Sequence, residues 1–151
     1  MVGAMKWRMV AIGKPALAYA RVGIEDYLGR IRRYTDVEMV WVKEGASVAE
    51  TGRRVLEQAV GWRAVLLDET GRDMSTRELQ GVLGKLERDG VKKIAVLIGG
   101  ADGHAAEVKA AVAEKWALGK LTLQHELAML VWLEQLYRQL TLGKGEPYHR
   151  D

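Results

Sequence analysis

Ile94-Ala95-Val96-Leu97-Ile98, followed at once by Gly99-Gly100-Ala101-Asp102-Gly103, decides how the rest of the chain is read. Five apolar residues without polar alternation have the pattern of a strand buried on both faces, as in a parallel sheet covered by helices. The glycines that end the run place bare backbone N–H groups at the carboxyl edge of that sheet, where open α/β folds bind small ligands. As structure, they suit a tight strand-to-helix turn needing positive φ. As a site, their missing side chains let a ligand lie against the backbone at Gly99 and Gly100. The spacing is neither Gly-x-Gly-x-x-Gly nor a phosphate loop ending in Gly-Lys-Ser/Thr, so dinucleotide and triphosphate readings lack support.

Outward from this stretch, strand-like and helical patterns alternate. Residues 7–12 read as a strand and 17–33 as a helix. Val37-Glu38-Met39-Val40-Trp41-Val42 alternates as a half-exposed edge strand does. Residues 48–60 read as helix, and Ala64-Val65-Leu66-Leu67 as a short strand buried on both faces. Ser75-Thr76-Arg77-Glu78 is a capping box; Leu79, Val82, Leu83 and Leu86 line one face of the helix it opens, and Gly90 stops it. A helix is expected over 105–116 and another over 126–140. The fold class is therefore a single-domain, mainly parallel α/β sheet with helices on both faces.

The expected final helix is apolar around nearly its whole circumference: Leu127, Ala128, Met129, Leu130, Val131, Trp132, Leu133, Leu136, Tyr137 and Leu140 leave only a stripe on which Glu134 and Arg138 can pair. Such a helix must be covered on all sides. In a domain this small a second copy is the natural cover, which gives an expected homodimer; the alternative is a central helix sandwiched within one subunit.

The chain has 151 residues, enough for one domain burying roughly 68–70% of its unfolded surface. No linker or repeat divides it, and no apolar run approaches the ~20 residues of a bilayer crossing, so no membrane partner is expected. The zero cysteines exclude disulfides and thiolate metal sites and suit a reducing cytoplasm. A net charge of +3 makes nucleic acid permissible, with Arg30, Arg32, Arg33, Arg53, Arg54, Lys92, Lys93, Lys144 and Arg150 as candidate phosphate contacts. His104, His125 and His149 lack metal-motif spacing, so no metal is expected, and neither Ser47 nor Ser75 sits in a nucleophile elbow. His125 is expected between a strand end and a helix start, where the positive end of the helix orients bound anions. Tyr148-His149-Arg150 closes the chain after Pro147 and two glycines, which suits a shaped turn rather than a frayed end.

Four elements occur in a telling order: Leu97-Ile98-Gly99-Gly100-x-x-Gly103, Leu121-Thr122-Leu123-x-His125, Glu134-Gln135-Leu136-Tyr137-Arg138 and Gly145-Glu146-Pro147-Tyr148-His149-Arg150. This order resembles the ribosomal RNA large-subunit methyltransferase H family, of the SPOUT class of knotted S-adenosylmethionine-dependent methyltransferases. The match runs from Met5-Lys6 to Arg150, so residues 5–151 are the expected SPOUT-type domain and 1–4 an N-terminal extension. The resemblance implies a C-terminal deep trefoil knot. It implies a site for S-adenosyl-L-methionine at Leu67, Gly99 and the segment Leu118, Gly119, Lys120, Leu121, Thr122 and Leu123. It also implies an active site that includes His125 and the tail. There Tyr148 could stack on a base, Arg150 hold a phosphate or base edge, and Tyr148 or His149 assist proton removal. The family usually carries Pro beside the histidine, where this chain has Gln124 and Glu126. The implied reaction is methylation of N3 of a pseudouridine in 23S ribosomal RNA, on the assembled ribosome. Two other readings stand beside it: a non-catalytic ribosome- or RNA-associated protein that keeps the fold, and a flavodoxin-like nucleotide-binding module, which would want phosphate loops this chain lacks.

Overall fold

The computed structural model describes residues 4–151. Of the expected extension at 1–4, all but Ala4 lies outside the described residues. Five strands, β1 (Lys6–Ile12), β2 (Val37–Val42), β3 (Arg63–Asp73), β4 (Lys93–Ile98) and β5 (Lys115–Ala117), form one parallel sheet in the order β2-β1-β4-β3-β5. Five helices connect and flank them: α1 (Ala18–Ile31), α2 (Val48–Glu57), α3 (Thr76–Arg88), α4 (Ala106–Ala111) and α5 (His125–Gly143).

The period of two along the strands divides the core between the two sheet faces. Trp7, Met9, Val65, Ile94, Val96 and Ile98 point to one side, where they meet residues of α1, α3 and α5. Val10, Leu66, Ala95 and Leu97 point to the other and meet Val55 of α2 and Val108 of α4. The expected doubly buried strand is β4, whose residues from Ile94 to Ile98 are all within 2% exposure. The alternating strand is β2, and it is indeed an edge. Ser47 and Ser75 each accept the N–H three residues on, at 3.1 and 3.0 Å, fixing the starts of α2 and α3.

Two expectations are corrected. The helix expected over 105–116 ends at Ala111, and residues 115–117 form β5 instead. Val112 is extended (φ −116°, ψ 110°), and Leu66 N–H donates to Glu114 O at 2.9 Å, so pairing with β3 outweighs local helix preference. The strand expected over 64–67 runs on to Asp73, its register against β5 shifting between Leu67 and Arg72. Gly71 makes that shift possible: a Cβ there would stand 2.6 Å from the Lys115 carbonyl carbon. Gly71→Ala should therefore destabilise the fold by about 1–3 kcal/mol, the usual cost of overpacking against an unyielding neighbour. Urea unfolding monitored by circular dichroism would measure this, and a midpoint equal to wild type would contradict it.

α5 is packed along its length by its own chain. Met129, Trp132, Leu133, Leu136 and Leu140 are buried, while Leu127, Leu130, Val131 and Leu142 are half-buried. Trp132 packs between Trp7 and Trp116 with tilted rings, centroids 6.0 and 5.7 Å away, and its indole N–H reaches Met9 Sδ at 3.1 Å. The sandwiched-helix alternative thus accounts for much of the apolar circumference. The expected pair of Glu134 and Arg138 forms, with N–O distances of 2.5 and 3.1 Å.

Candidate active site

β4 ends at Ile98, and residues 99–103 fold into a turn in which Gly103 N–H donates to Gly100 O at 2.9 Å. The positive φ expected in this turn falls on Gly103, at +74°. Gly99 is needed for a different reason: a Cβ on it would lie 3.0 Å from the Gly103 carbonyl carbon. Gly100 is less constrained, since its Cβ would meet Ile12 at an ordinary 3.5 Å.

Beside this turn opens a cleft of about 580 Å³, lined by Leu67, Gly99, Gly100, Leu118, Gly119, Leu121, Thr122, Leu123 and His125. It falls within the roughly 300–1,000 Å³ range of small-molecule sites. Three separate stretches of sequence thus converge on it: the end of the regular part of β3, the turn after β4, and the loop 118–124 before α5. Of the residues named for the cofactor, only Lys120 is exposed and outside the lining. The loop is shaped by Gly119 at φ +144° and tethered by Thr122, whose hydroxyl donates to Glu69 Oε2 at 2.5 Å.

His125 is the first residue of α5 and follows a loop rather than a strand end. Gln124 caps the helix, its Oε1 accepting from the N–H groups of Glu126 and Leu127 at 2.9 and 3.0 Å. Its Nε2 must then be the donor to His125 Nδ1, 3.3 Å away, which places the ring proton of a neutral His125 on Nε2. Glu126 is buried, and its carboxylate accepts the N–H of Leu17 at 3.0 Å, capping α1 from another helix. Both residues that stand where the resembling family usually has Pro beside the histidine therefore have structural work in this chain.

His104 was not singled out for this site from the sequence, where it is one unremarkable histidine after a glycine. It is only 9% exposed, lines the cleft, and brings Nε2 to 3.1 Å from the carbonyl of Leu67. Burial holds its pKa below the ordinary histidine value. The unfolded chain then binds the proton more readily, so stability is complete above the unfolded value near pH 6.5 and falls as pH drops below it. The melting temperature of the wild type should thus decline more between pH 7 and 5 than that of His104→Leu. Parallel curves would contradict this. Asp68, Glu69, Asp102 and Lys109 also line the cleft without a sequence signal that marked them.

The tail lies elsewhere on the same chain. Tyr148 packs edge-on to Tyr137 at 4.7 Å, donates to Glu134 Oε1 at 3.2 Å, and lies under the Arg138 guanidinium. Its hydroxyl is also 3.3 Å from that of Tyr27. Burial, the Tyr27 contact and Glu134 push its pKa well above the ordinary tyrosine value. Arg138 donates to His149 Nδ1 at 3.1 Å, so His149 Nε2 carries the proton and donates to Asp151 at 2.8 Å. The Arg77 guanidinium, 2.7 Å away, and His149 hold the Asp151 carboxyl down to about 2. Tyr34 donates to Glu146, completing the clamp. Arg150 is exposed, without a hydrogen-bond partner among the described residues. Glu134 lies nine residues along α5 from His125, about 13 Å at 1.5 Å per residue. Within one chain, then, the tail is held away from the cleft.

The sequence that builds this sheet and cleft matches, over residues 5–149, the family described as "Predicted SPOUT methyltransferase". The chain belongs to the SPOUT methyltransferases. Among its relatives, the ribosomal RNA large subunit methyltransferase H of Thermus thermophilus is 47% identical over 146 residues, covering 97% of this chain and 99% of the relative. That relationship places the chain in the methyltransferase H family. The same architecture recurs in a probable methyltransferase of Bordetella pertussis, with a TM-score of 0.60 at 12% identity, covering 93% of this chain and 99% of that one. It recurs again in a putative methyltransferase of Legionella pneumophila solved with bound cofactor SAM, with a TM-score of 0.50 at 12% identity, covering 89% and 66%. At those identities the solved structures speak to the fold alone.

Proposed function

We propose that this SPOUT methyltransferase transfers a methyl group from S-adenosylmethionine to N3 of a pseudouridine in 23S ribosomal RNA, on the assembled ribosome, and works as a homodimer. The observation that carries the reading is the convergence of Leu67, Gly99 and residues 118–123 on one cleft of about 580 Å³. The donor set fits such a cofactor. Leu67, Leu118, Leu121 and Leu123 offer apolar surface for an adenine, the glycine turn offers backbone, and Asp68, Glu69 and Asp102 offer negative charge to a sulfonium. When bound, the cofactor supplies a methyl group that is already electrophilic.

What remains for the protein is to align the nucleophile, exclude water and let the N3 proton go. Alignment can supply about 7–11 kcal/mol, more than the 10²–10⁴-fold typical of a general base. His125, donating from Nε2 at the start of α5, orients an anionic group at the cleft. The substrate-side groups come from the tail, with Tyr148 stacking on a base and Arg150 holding a phosphate. Since each tail is clamped away from its own cleft, the tail that serves a cleft is the one from the second copy. Exposed Leu17 just before α1, with exposed Tyr19 and Val22 on α1, the helix packed on α5, supports a second chain there. For Tyr148 or His149 to accept the N3 proton, each must first leave its present partner. The knot implied by the sequence resemblance belongs to the same proposal.

The test is transfer of labelled methyl groups from S-adenosylmethionine to purified assembled ribosomes that lack the modification, with nuclease mapping of the product. Label on one pseudouridine, at N3, and far less on free 23S rRNA, is expected. Label on another base, or none, would refute the assignment.

A further inference from the structure

At the opposite edge of the sheet from the cleft lies a groove of about 450 Å³ lined by Lys6, Arg32, Asp36, Glu38, Trp62 and Lys93, among others. Its position follows from the strand register. Lys6 opens β1 and Lys93 opens β4, and the two are direct partners in the parallel ladder. Neighbouring side chains at such positions stand about 5 Å apart at Cβ, where like charges destabilise the pair. Glu38 is already spent on Arg8, the next cation along β1. Neither Lys6, Arg32 nor Lys93 has a carboxylate partner among the described residues, and Asp36 is the one other acid in the lining.

The aromatic wall adds a second independent feature. Trp62 carries the Arg8 guanidinium 4.3 Å from its ring centroid and the Lys93 ammonium at 5.4 Å, so the cations are gathered around a half-buried indole rather than spread into solvent. Trp7 also lines the groove, and its buried indole N–H has no acceptor among the described residues. A folded domain that holds uncompensated cations side by side around aromatic surface is poised to neutralise a row of negative charges.

We infer that this groove is a docking surface for the phosphate backbone of RNA, separate from the site of chemistry. This rests on the ribosomal RNA reading above and extends it: β4 alone, at about 3.3 Å per residue, sets the groove roughly 20 Å from the glycine turn. The substrate is then gripped at two places, one that holds the target nucleotide and one that holds backbone remote from it. The groove supplies affinity and orientation without reading bases.

The experiment compares the full-length wild type with Lys6→Gln/Lys93→Gln in binding to purified assembled ribosomes lacking the modification, over a range of KCl concentrations. Arg21→Gln/Lys85→Gln, the same change in charge on α1 and α3, is the matched control. Both variants alter exposed residues, and their melting curves verify the fold. The groove variant should bind at least about tenfold more weakly, with the slope of log affinity against log salt reduced by about 1.4, the value for two lost phosphate contacts. Its calorimetric affinity for S-adenosylmethionine should equal wild type. Unchanged ribosome affinity and slope would overturn the proposal, as would an equal loss in the matched control or a wild type that does not bind ribosomes at all. If the groove variant loses ribosome affinity but the wild type neither binds S-adenosylmethionine nor transfers methyl groups, the docking surface stands and the proposed methyl-transfer reading falls.

Discussion

Gly99→Val should reduce affinity for S-adenosylmethionine by at least about a hundredfold, close to 2.7 kcal/mol, while leaving a folded protein. The physical reason is local. A Cβ at Gly99 would stand 3.0 Å from the Gly103 carbonyl carbon and 3.2 Å from its Cα, both backbone atoms that cannot swing aside. The turn must open, and one wall of the cleft opens with it. The branched side chain adds bulk beside Leu67 and Leu118, where an adenine would lie. Gly100→Val is a useful comparison, because its Cβ meets only the flexible side chain of Ile12 and so should cost less. His125→Ala should also cost less in cofactor affinity, since it removes a single donor at the mouth of the cleft. Isothermal calorimetry on the three variants gives the ranking directly. Equal affinities for Gly99→Val and wild type would mean that the turn does not hold the donor.

The second large effect concerns the tail. Removal of residues 147–151 should lower the single-turnover rate of methyl transfer by at least about a hundredfold, the order expected when a reactant loses its alignment. Cofactor affinity should be unchanged, because no tail residue lines the cleft. If the tail serves the cleft of the second copy, mixing tail-less chains with Gly99→Val chains restores part of the activity, because one mixed site in each heterodimer holds an intact cleft and an intact tail. Neither variant alone should do so. A mixture no more active than its components would place the tail at its own cleft or out of the chemistry. Single substitutions in the clamp, such as Glu134→Gln or Tyr27→Phe, should have smaller effects, since Tyr137, Arg138 and Arg77 still hold the segment.

The parts of this fold that could be read from sequence are those in which one local rule acts without competition. The run 94–98 is apolar at every position and can only be a doubly buried strand. The alternation at 37–42 can only be an edge, and Ser75 with Glu78 marks a helix start in any context. The errors arise where a tertiary contact overrides local preference. Residues 112–117 contain no proline or glycine to break a helix, and three residues of β5 are too few to show a period. Only β3, through the Leu66 N–H to Glu114 carbonyl bond, makes the segment extended. Likewise residues 68–73 have the composition of a loop, and their pairing depends on a glycine that lets Lys115 approach.

The site divides in the same way. The glycine turn was legible as a ligand site because it ends a buried strand, whereas its grouping with the loop 118–123 came from the family resemblance, and both line one cleft. His104 was not legible, since its role comes from a carbonyl 37 residues away in sequence. Gln124 and Glu126 showed only as departures from the pattern of the resembling family. In the structure one caps α5 and the other caps α1, functions that need a partner identified in space. The tail was legible as chemically rich but not as clamped, because the Tyr27–Tyr34–Tyr137–Tyr148 cluster draws on three elements distant in sequence.

The measurement that bears most directly on the central claim is mass spectrometry of large-subunit ribosomal RNA from cells in which this gene is deleted and then restored. One methyl group on a pseudouridine should disappear with the gene and return with the wild type, but not with Gly99→Val. An rRNA methylation pattern that is the same in all four strains would contradict the account.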